Sequence, residues 1–191
     1  NSGAAYIYTR DASGVWSEQA KLAALDASPQ GFFGYSVSIH GDTALIGANG
    51  NDEAIPTPLG AAYVFIRDPG TGMWSQQAKL LAADGIAGDD FGSAVALDGN
   101  TAVIGAFGSS NSGNGLNSGA VYIFIRDPAT GTWSQQTKLV ASDTKADEFF
   151  GNAVALHGET AVIGAVGNDE VTLSGLPGVP GSAYVFIRNG A

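Results

Sequence analysis

The chain of 191 residues has no cysteine and only eight lysine and arginine residues. The absence of cysteine excludes disulfides and thiolate chemistry. The scarcity of basic residues and the formal net charge of −10 argue against nucleic acid as a partner, because phosphate binding requires clustered lysine and arginine. Long apolar runs are also missing. None reaches the roughly 18 residues of a membrane-spanning helix, so we expect no membrane insertion.

The residues that are abundant favour a folded chain without long helices. Apolar residues make up 45% of the sequence, which is too much for a disordered chain. The 28 glycines interrupt the sequence too often for long helices. A chain of this length can bury a sizeable core as one domain.

One block of residues occurs four times. It stands at Gly3–Arg10, Gly60–Arg67, Gly119–Arg126 and Gly181–Arg188, at spacings of 57 to 62 residues. A period of this length is typical of an array in which each unit buries its apolar face against the next. The sequence therefore predicts a repeat protein.

The second unit shows what one repeat contains. Residues 33–39 alternate small or polar side chains with apolar ones, as in a half-buried strand. Residues 43–48 are almost wholly apolar, which predicts a strand buried on both faces, and residues 62–67 are rich in aromatic and β-branched side chains. Residues 74–80 alternate again and predict an outer, solvent-facing strand. Four such strands form one blade of a β-propeller.

The units divide the chain into four-stranded antiparallel blades, and we predict an all-β, propeller-type fold. Residues 1–191 are expected to form a single domain, in which partial blades at 3–30 and 147–191 enclose complete blades at 31–88 and 89–146. The first partial blade has only the third and fourth strands, and the last has only the first three. The expected total is 13 strands in about three blades.

Two dipeptides mark each blade. Phe-Gly opens it at Phe33-Gly34, Phe91-Gly92 and Phe150-Gly151, and Gly-Ala follows at Gly47-Ala48, Gly105-Ala106 and Gly164-Ala165. This pattern resembles the FG-GAP repeat. The bacterial subtype is the most similar, because it also carries Trp-Ser-Gln-Gln-x-Lys-Leu, here at 74–80 and 133–139. The resemblance implies a propeller of the integrin α-subunit type in a secreted or cell-surface protein.

One departure from that family concerns calcium. Integrin-type FG-GAP blades often carry an Asp-rich Ca²⁺ loop between their first two strands. Here the connection is only His40-Gly41-Asp42, Asp98-Gly99-Asn100 or His157-Gly158-Glu159. One carboxylate in so short a turn cannot supply the roughly six to eight oxygens of a Ca²⁺ shell. We therefore expect the family's calcium sites to be absent and no cofactor to be bound, with Ca²⁺ elsewhere as the open alternative.

The sequence offers few candidates for chemistry. His40 and His157 occupy equivalent turns, but we see no nucleophile with an orienting acid nearby, so we interpret them as exposed turn residues and expect no enzyme. Asp89-Asp90 and Asp147-Glu148 precede the Phe-Gly strand and could chelate a cation. Capping or solvating the loop between blades is the favoured interpretation of both pairs.

Three periodic tryptophans, Trp16, Trp74 and Trp133, have the chemistry of sugar-stacking platforms. Their strict periodicity favours packing between blades instead.

The loops at 49–60, 107–118 and 166–181 differ in length and sequence while the strands barely change. Loops on a rigid scaffold often carry function, so we expect any ligand specificity there. The candidate ligand-binding residues are Asn51, Asp52 and Glu53, which recur as Asn168, Asp169 and Glu170. Thr57, between two prolines, is a candidate for O-glycosylation.

The incomplete end blades suggest a function. Because a closed propeller has about 4 to 8 blades, the chain is either part of a larger propeller or completes its blades with copies of itself. The open edge of the last blade could pair with another chain, and head-to-tail contacts give rings or filaments. We expect an extracellular, non-enzymatic module for adhesion or self-assembly. The alternative is a lectin-like propeller that binds glycans through the variable loops.

Overall fold

The computed structural model describes residues 2–50, 60–111, 113–143, 145–167 and 180–188. These residues form thirteen β-strands and no helix. All neighbouring strands in the sheets are antiparallel, and the sheets contain two, four, four and three strands in chain order. The predicted all-β class and the strand count of each blade are confirmed. The sheets do not close into a ring.

We call the sheets blades 1 to 4. Blade 1 consists of β1 (Ala5–Arg10) and β2 (Trp16–Leu22), and blade 2 of β3 (Ser36–His40), β4 (Thr43–Ala48), β5 (Ala61–Arg67) and β6 (Trp74–Leu80). Blade 3 consists of β7 (Phe91–Asp98), β8 (Thr101–Ala106), β9 (Ala120–Arg126) and β10 (Trp133–Leu139). Blade 4 consists of β11 (Phe150–His157), β12 (Thr160–Ala165) and β13 (Ser182–Ile187).

The first strand of blade 2 is shorter than predicted. The sequence predicts a strand from residue 33, but β3 begins at Ser36. The φ angles of Phe32 and Gly34, 50° and 93°, recur at the equivalent residues of blades 3 and 4, so the difference lies in how the phenylalanine is paired. Phe33 is left in an isolated bridge to Gly3. In blades 3 and 4 the ladder absorbs the equivalent glycine in a β-bulge, so the phenylalanine is paired as well.

The core lies between the blades. All six residues of β4 are buried, as the apolar run predicted. The reason is that successive side chains of a strand point to opposite faces: Ala44 and Ile46 belong to the cluster shared with blade 1, and Leu45 to the cluster shared with blade 3. A third cluster joins blades 3 and 4. Each blade is therefore stabilised mainly by the apolar area that it shares with its neighbours.

The motif glycines are the points where the backbones of adjacent blades touch. A Cβ on Gly92 would lie 2.3 Å from the Ala61 carbonyl oxygen of the preceding blade, and Gly92 has a φ of 91°. A Cβ on Gly105 would lie 2.1 Å from the Gly151 carbonyl oxygen of the following blade. No real side chain tolerates these distances. The two halves of the repeat signature thus set the spacing between blades.

The motif phenylalanine anchors the interior of its own blade. Phe91 is fully buried and contacts Tyr122 and Phe124 edge to face, with ring centroids 5.4 and 6.2 Å apart. Blades 2 and 4 repeat the arrangement around Phe33 and Phe150. Such contacts add to the energy of burying the rings.

Candidate functional site

The structure does not describe the residues that the sequence predicts to bind a ligand. Asn51, Asp52, Glu53, Asn168, Asp169, Glu170 and the glycosylation candidate Thr57 all lie outside the described residues. Their roles remain predictions.

The turn residues of three blades meet at one end of the stack. Nδ1 of His40 lies 3.0 Å from Oδ1 of Asp98, and the backbone amide of Gly158 donates to Oδ2 of the same carboxylate at 2.6 Å. His157 is also near, with Nδ1 4.0 Å from Asp98. Both histidines are exposed, as expected, but we missed that an acid lies beside them. The three turns occupy equivalent positions in their repeats, and this periodicity was the only sequence signal for the cluster.

The acidic pairs cap the connections between blades. Asp89 accepts a hydrogen bond from the Ile86 amide at 3.0 Å, and Asp147 accepts one from the Asn117 side chain at 2.9 Å. Asp89 is buried rather than solvated, with 3% of its surface exposed, and burial raises the pKa of its carboxyl. Within the described ranges no group of three or more histidine, aspartate and glutamate side chains could hold a metal ion.

Asp89→Asn is expected to stabilise the chain at pH 7. A folded-state pKa raised above the ordinary 3.8 means that folding favours the protonated form, so this contribution is present at low pH and is lost as pH rises through the folded pKa. The asparagine carbonyl oxygen can still accept from Ile86. Urea unfolding should show the variant above wild type at pH 7 and equal to it near pH 3, within about 0.5 kcal/mol. A variant that is less stable at both pH values would contradict this account of Asp89.

The tryptophans of the outer strands join each blade to the one before. The indole nitrogen of Trp74 donates to Oε1 of Gln19 at 3.2 Å, and Trp133 donates to Gln77 at 3.1 Å. Both rings also pack against the apolar cluster of their seam. The predicted packing between blades is confirmed for these two. Trp16 in blade 1 is instead 64% exposed.

A lysine on the same strand makes a second contact across the seam. Nζ of Lys79 lies 2.5 Å from Asp26 of the preceding blade, and Nζ of Lys138 lies 2.9 Å from Asp84. Each ammonium also lies over the ring of a tyrosine in its own blade, Tyr63 or Tyr122, at 5.4 and 5.3 Å from the centroid. In blade 3 the aspartate also binds the tyrosine, since the hydroxyl of Tyr122 donates to Asp84 at 2.8 Å.

An arginine at the end of the third strand pairs with the turn between the first two. In blade 2, Nε of Arg67 donates to Asp42 at 2.6 Å, and in blade 4 Arg188 pairs with Glu159. Blade 3 has Asn100 at that position, and the buried Nε of Arg126 has no hydrogen-bond partner among the described residues.

Asn100→Asp is therefore expected to stabilise blade 3 by about 1 kcal/mol, because it supplies the missing carboxylate to a buried donor. Asp42→Asn is the mirror variant, and it should cost blade 2 a similar amount. Urea unfolding midpoints of the two variants measure both effects. Equal and opposite shifts are expected, and a destabilising Asn100→Asp would show that Arg126 needs no acid.

Comparison with known families finds a matching family model. The model of the FG-GAP repeat matches residues 16–65, 74–124 and 133–186, which together make up most of the chain. The chain belongs to the FG-GAP repeat family. Comparison with curated proteins finds no match. FG-GAP repeats are typical of integrin-like propeller modules, are generally non-enzymatic and occur in extracellular or surface proteins. No described residue lies in a helix long and apolar enough to span a bilayer.

The family match is out of phase with the sheets. Each FG-GAP repeat begins with the outer strand of one blade and continues through the three inner strands of the next. The segment 16–65, for example, holds β2 of blade 1 and then β3, β4 and β5 of blade 2. Three repeats account for β2 to β13, and among the described strands β1 alone lies outside them. The FG-GAP unit thus links two blades by its construction.

Blade 4 ends the described FG-GAP stack with an apolar face open to solvent. Val162 on β12 is 41% exposed, whereas its equivalents Leu45 and Val103 are fully buried by the next blade. Val185 and Ile187 on β13 are exposed as well. No described strand pairs with the second edge of β13.

At the other end, blade 1 has only two described strands and leaves part of blade 2 uncovered. Two apolar residues of β3, Val37 and Ile39, are exposed there, whereas the equivalent Val95 and Leu97 in blade 3 are buried against blade 2. A groove between β1 and β3 is lined by the same two side chains together with Tyr6 and Tyr8. Both ends thus present surfaces that the interior seams bury.

Proposed function

We propose that the chain is a non-enzymatic module of an extracellular assembly, and that it associates with further copies of itself through its two open end blades. The observation that carries this proposal is that Val37, Ile39 and Val162 are exposed at the ends, whereas the equivalent residues at the seam between blades 2 and 3 are buried: Val95, Leu97 and Leu45. Each end presents one half of a seam, and the two halves differ. Contacts of this head-to-tail kind form rings if they close and filaments if they do not.

Large apolar side chains exposed at both ends support an interaction. Tyr35, Val37 and Ile39 at one end, and Val162, Val185 and Ile187 at the other, are large apolar side chains that are at least 41% exposed. Contiguous apolar patches of this kind mark interaction sites on soluble proteins. An open sheet edge beside such a patch adds backbone hydrogen bonds as a second source of affinity.

Sugar binding through the tryptophans is not favoured by the geometry. Trp74 and Trp133 are used in the seams, where the indole nitrogen of each already donates to a glutamine. Adhesion remains within the proposal, since a surface assembly built from such modules can carry binding loops.

Gly164→Ala is the variant that tests the proposal. Gly164 stands on β12 where Gly47 and Gly105 stand on β4 and β8, and those two touch the backbone of the following blade. A Cβ on Gly164 meets only Ala153 of its own blade, at 3.4 Å, so the single chain should accept it. If another copy packs on blade 4 as blade 3 packs on blade 2, the added methyl should block it.

Sedimentation velocity of wild type and Gly164→Ala at matched concentrations gives the readout. Wild type is expected to associate more as its concentration rises, and the variant is expected to stay a monomer with a wild-type circular dichroism spectrum. Met73→Ala, which changes an exposed side chain between β5 and β6 and outside both end surfaces, serves as the control and should associate normally. Association that Gly164→Ala leaves unchanged would remove blade 4 from the interface.

A further inference from the structure

The seams of blades 1–2 and 2–3 repeat one set of contacts, and the set can be carried one blade further. The outer strand of each blade brings a tryptophan to a glutamine, and a lysine to an aspartate, of the preceding blade. Trp74 and Lys79 reach Gln19 and Asp26 in this way. Trp133 and Lys138 reach Gln77 and Asp84. The residues that come next in this series are Gln136 and Asp143 of blade 3.

The seam between blades 3 and 4 lacks the outer strand that would complete it. A cavity of about 350 Å³ opens there, large enough for an indole ring. Its lining includes Gln136 and six apolar residues, four of which are Leu139, Leu156, Ala161 and Phe186. The equivalents of those four, Leu80, Leu97, Ala102 and Phe124, belong to the cluster against which Trp133 packs one seam earlier. The cavity is thus the unfilled counterpart of the Trp133 site.

The lysine site of this seam is open as well. Asp143 makes no ion pair with any described residue. The Tyr184 side chain is hydrogen-bonded with Asp143, as Tyr122 is with Asp84. Burial is the larger cause and this hydrogen bond the second cause that raises the pKa of the Tyr184 hydroxyl. A lysine arriving over Tyr184 would complete the set found in blades 2 and 3.

The matching donor groups stand unused at the other end of the chain. Trp16 on β2 is 64% exposed. Lys21 lies over Tyr6, 5.6 Å from the ring centroid, as Lys79 lies over Tyr63, but within the described residues it has no carboxylate partner. One end therefore lacks a tryptophan and a lysine, and the other end has both without their acceptors.

We propose that the cavity beside Gln136 is the acceptor for β2 of a second copy of the chain, with Trp16 inserted against Gln136 and Lys21 paired with Asp143. This inference rests on the proposed self-association and names the site that drives it. The arriving β2 pairs with the open edge of β13 in the register that it has with β1. Tyr184 then takes the place of Tyr6 beneath the lysine.

The fold supplies the strand exchange that this pairing requires. β1 and β13 are equivalent strands with similar sequences, Ala5-Tyr-Ile-Tyr-Thr-Arg10 and Ala183-Tyr-Val-Phe-Ile-Arg188. β1 is also the strand outside the three family repeats. When β13 of one copy replaces β1 of the next, the shared blade has four strands, and no strand but β1 is released. Exchange of equivalent elements is a low-cost route to association.

A third contact supports the same register. The side chains of Gln76 and Gln135 each accept a hydrogen bond from a backbone amide just beyond the outer strand of the preceding blade, at 3.0 Å from Leu25 and Ala83. Glu18 holds this position on β2. Its carboxylate is an acceptor of the right kind for the next equivalent amide, that of Ser142.

The acceptor can be tested with a synthetic strand. A fluorescein-labelled peptide of residues 14–24 is titrated with the whole chain carrying Trp16→Ala, which weakens the chain's own donor strand, and binding is followed by fluorescence anisotropy. We expect saturable binding. A peptide with Trp16→Ala should bind at least about thirtyfold more weakly, the effect of losing an interface hot spot.

A charge exchange separates the proposed site from a general stickiness of the open edge. Asp143→Lys in the chain should weaken binding of the wild-type peptide about tenfold, because it places two positive charges together at the Lys21 site. The same chain should bind a peptide with Lys21→Asp to within about threefold of the original pair. Asp143 is exposed, so the variant should fold. If Asp143 had only a structural role, the peptide with Lys21→Asp would not restore binding to the chain with Asp143→Lys.

The mass of the whole wild-type chain completes the test. We expect Trp16→Ala to abolish the concentration-dependent association of the chain. Association that survives Trp16→Ala, with no peptide binding, would overturn the site and leave the proposed self-association standing. Peptide binding to a chain that stays monomeric would overturn the second copy as occupant and assign the acceptor to an outer strand from another source.

Discussion

Gly105→Ala is expected to lower the free energy of unfolding by about 3 kcal/mol, at the upper end of the cost of overpacking a core. The new Cβ would stand 2.1 Å from the carbonyl oxygen of Gly151 and 3.3 Å from the Cβ of Ala94. The nearer contact is with backbone, which cannot rotate away as a side chain can. Blade 4 would have to move off blade 3 to accommodate one methyl group. Urea unfolding followed by tryptophan fluorescence measures the change.

Gly164→Ala is the matched control, since it makes the same substitution at the equivalent position of β12. Nothing of a following blade lies against Gly164 in the described structure, and its nearest neighbour is a methyl group at ordinary contact distance. We expect a free energy of unfolding within about 1 kcal/mol of wild type, shifted toward greater stability because alanine restricts the unfolded chain. The comparison must be made at low concentration, since self-association would add to apparent stability. Equal costs at both positions would contradict the assigned seam.

Trp133→Ala has the second large expected effect. It should lower the free energy of unfolding by about 2 to 3 kcal/mol. The indole packs against the cluster between blades 2 and 3 and donates to Gln77, so its removal opens a cavity and leaves an amide oxygen without that donor. Trp133→Phe should recover part of the loss, because it refills the cavity without restoring the hydrogen bond. Thermal unfolding should rank wild type as the most stable, Trp133→Phe next and Trp133→Ala last.

Trp16→Ala is the control for Trp133→Ala. Trp16 occupies the same place in its strand, but no blade precedes it in the described structure, and most of its ring faces solvent. Its removal should change the free energy of unfolding by no more than about 0.5 kcal/mol, as for other surface substitutions. A loss as large as that of Trp133→Ala would mean that Trp16 is packed within its own chain, which would deprive a second copy of its anchor.

The sequence predicts the strands well because a simple physical pattern encodes them. The apolar run at 43–48 predicted a doubly buried strand, and β4 is buried throughout because one face meets blade 1 and the other meets blade 3. The alternation at 74–80 predicted an exposed outer strand, and Ser75, Gln77 and Lys79 are exposed in β6. The predicted start of β3 was wrong because Phe33 forms a bridge to Gly3 of blade 1 instead of pairing with β4.

The contacts between blades could be predicted only in part. The period of the tryptophans indicated that they pack between blades, but not that Trp74 meets Gln19 of the preceding blade. His40 and Asp98 are equivalent residues of neighbouring repeats, and their 3.0 Å contact depends on the rotation between blades, which the sequence does not state. His40 and Asp98 stand at equivalent positions of neighbouring repeats, but Trp74 and Gln19 are 55 residues apart and do not, so the repeat period alone would have indicated only the first contact. The ligand-binding loops remain predictions.

An FG-GAP chain in which each repeat spans two blades has a direct consequence for assembly. The described sheets of this chain have an outer strand, β2, at one end and the open edge of β13 at the other. In this chain the two ends also differ in chemistry, with tryptophan and lysine on β2 and glutamine and aspartate in blade 3. We propose that this donor and this acceptor pair between copies of the chain.

The absolute mass of the particle in solution, measured by light scattering across a range of concentrations, tests the central claim most directly. Association through the open end blades predicts masses that rise with concentration as multiples of the 19.3 kDa chain, with rings or filaments in negative-stain images of the same sample. A constant mass of 19.3 kDa up to the highest concentration reached would contradict the claim.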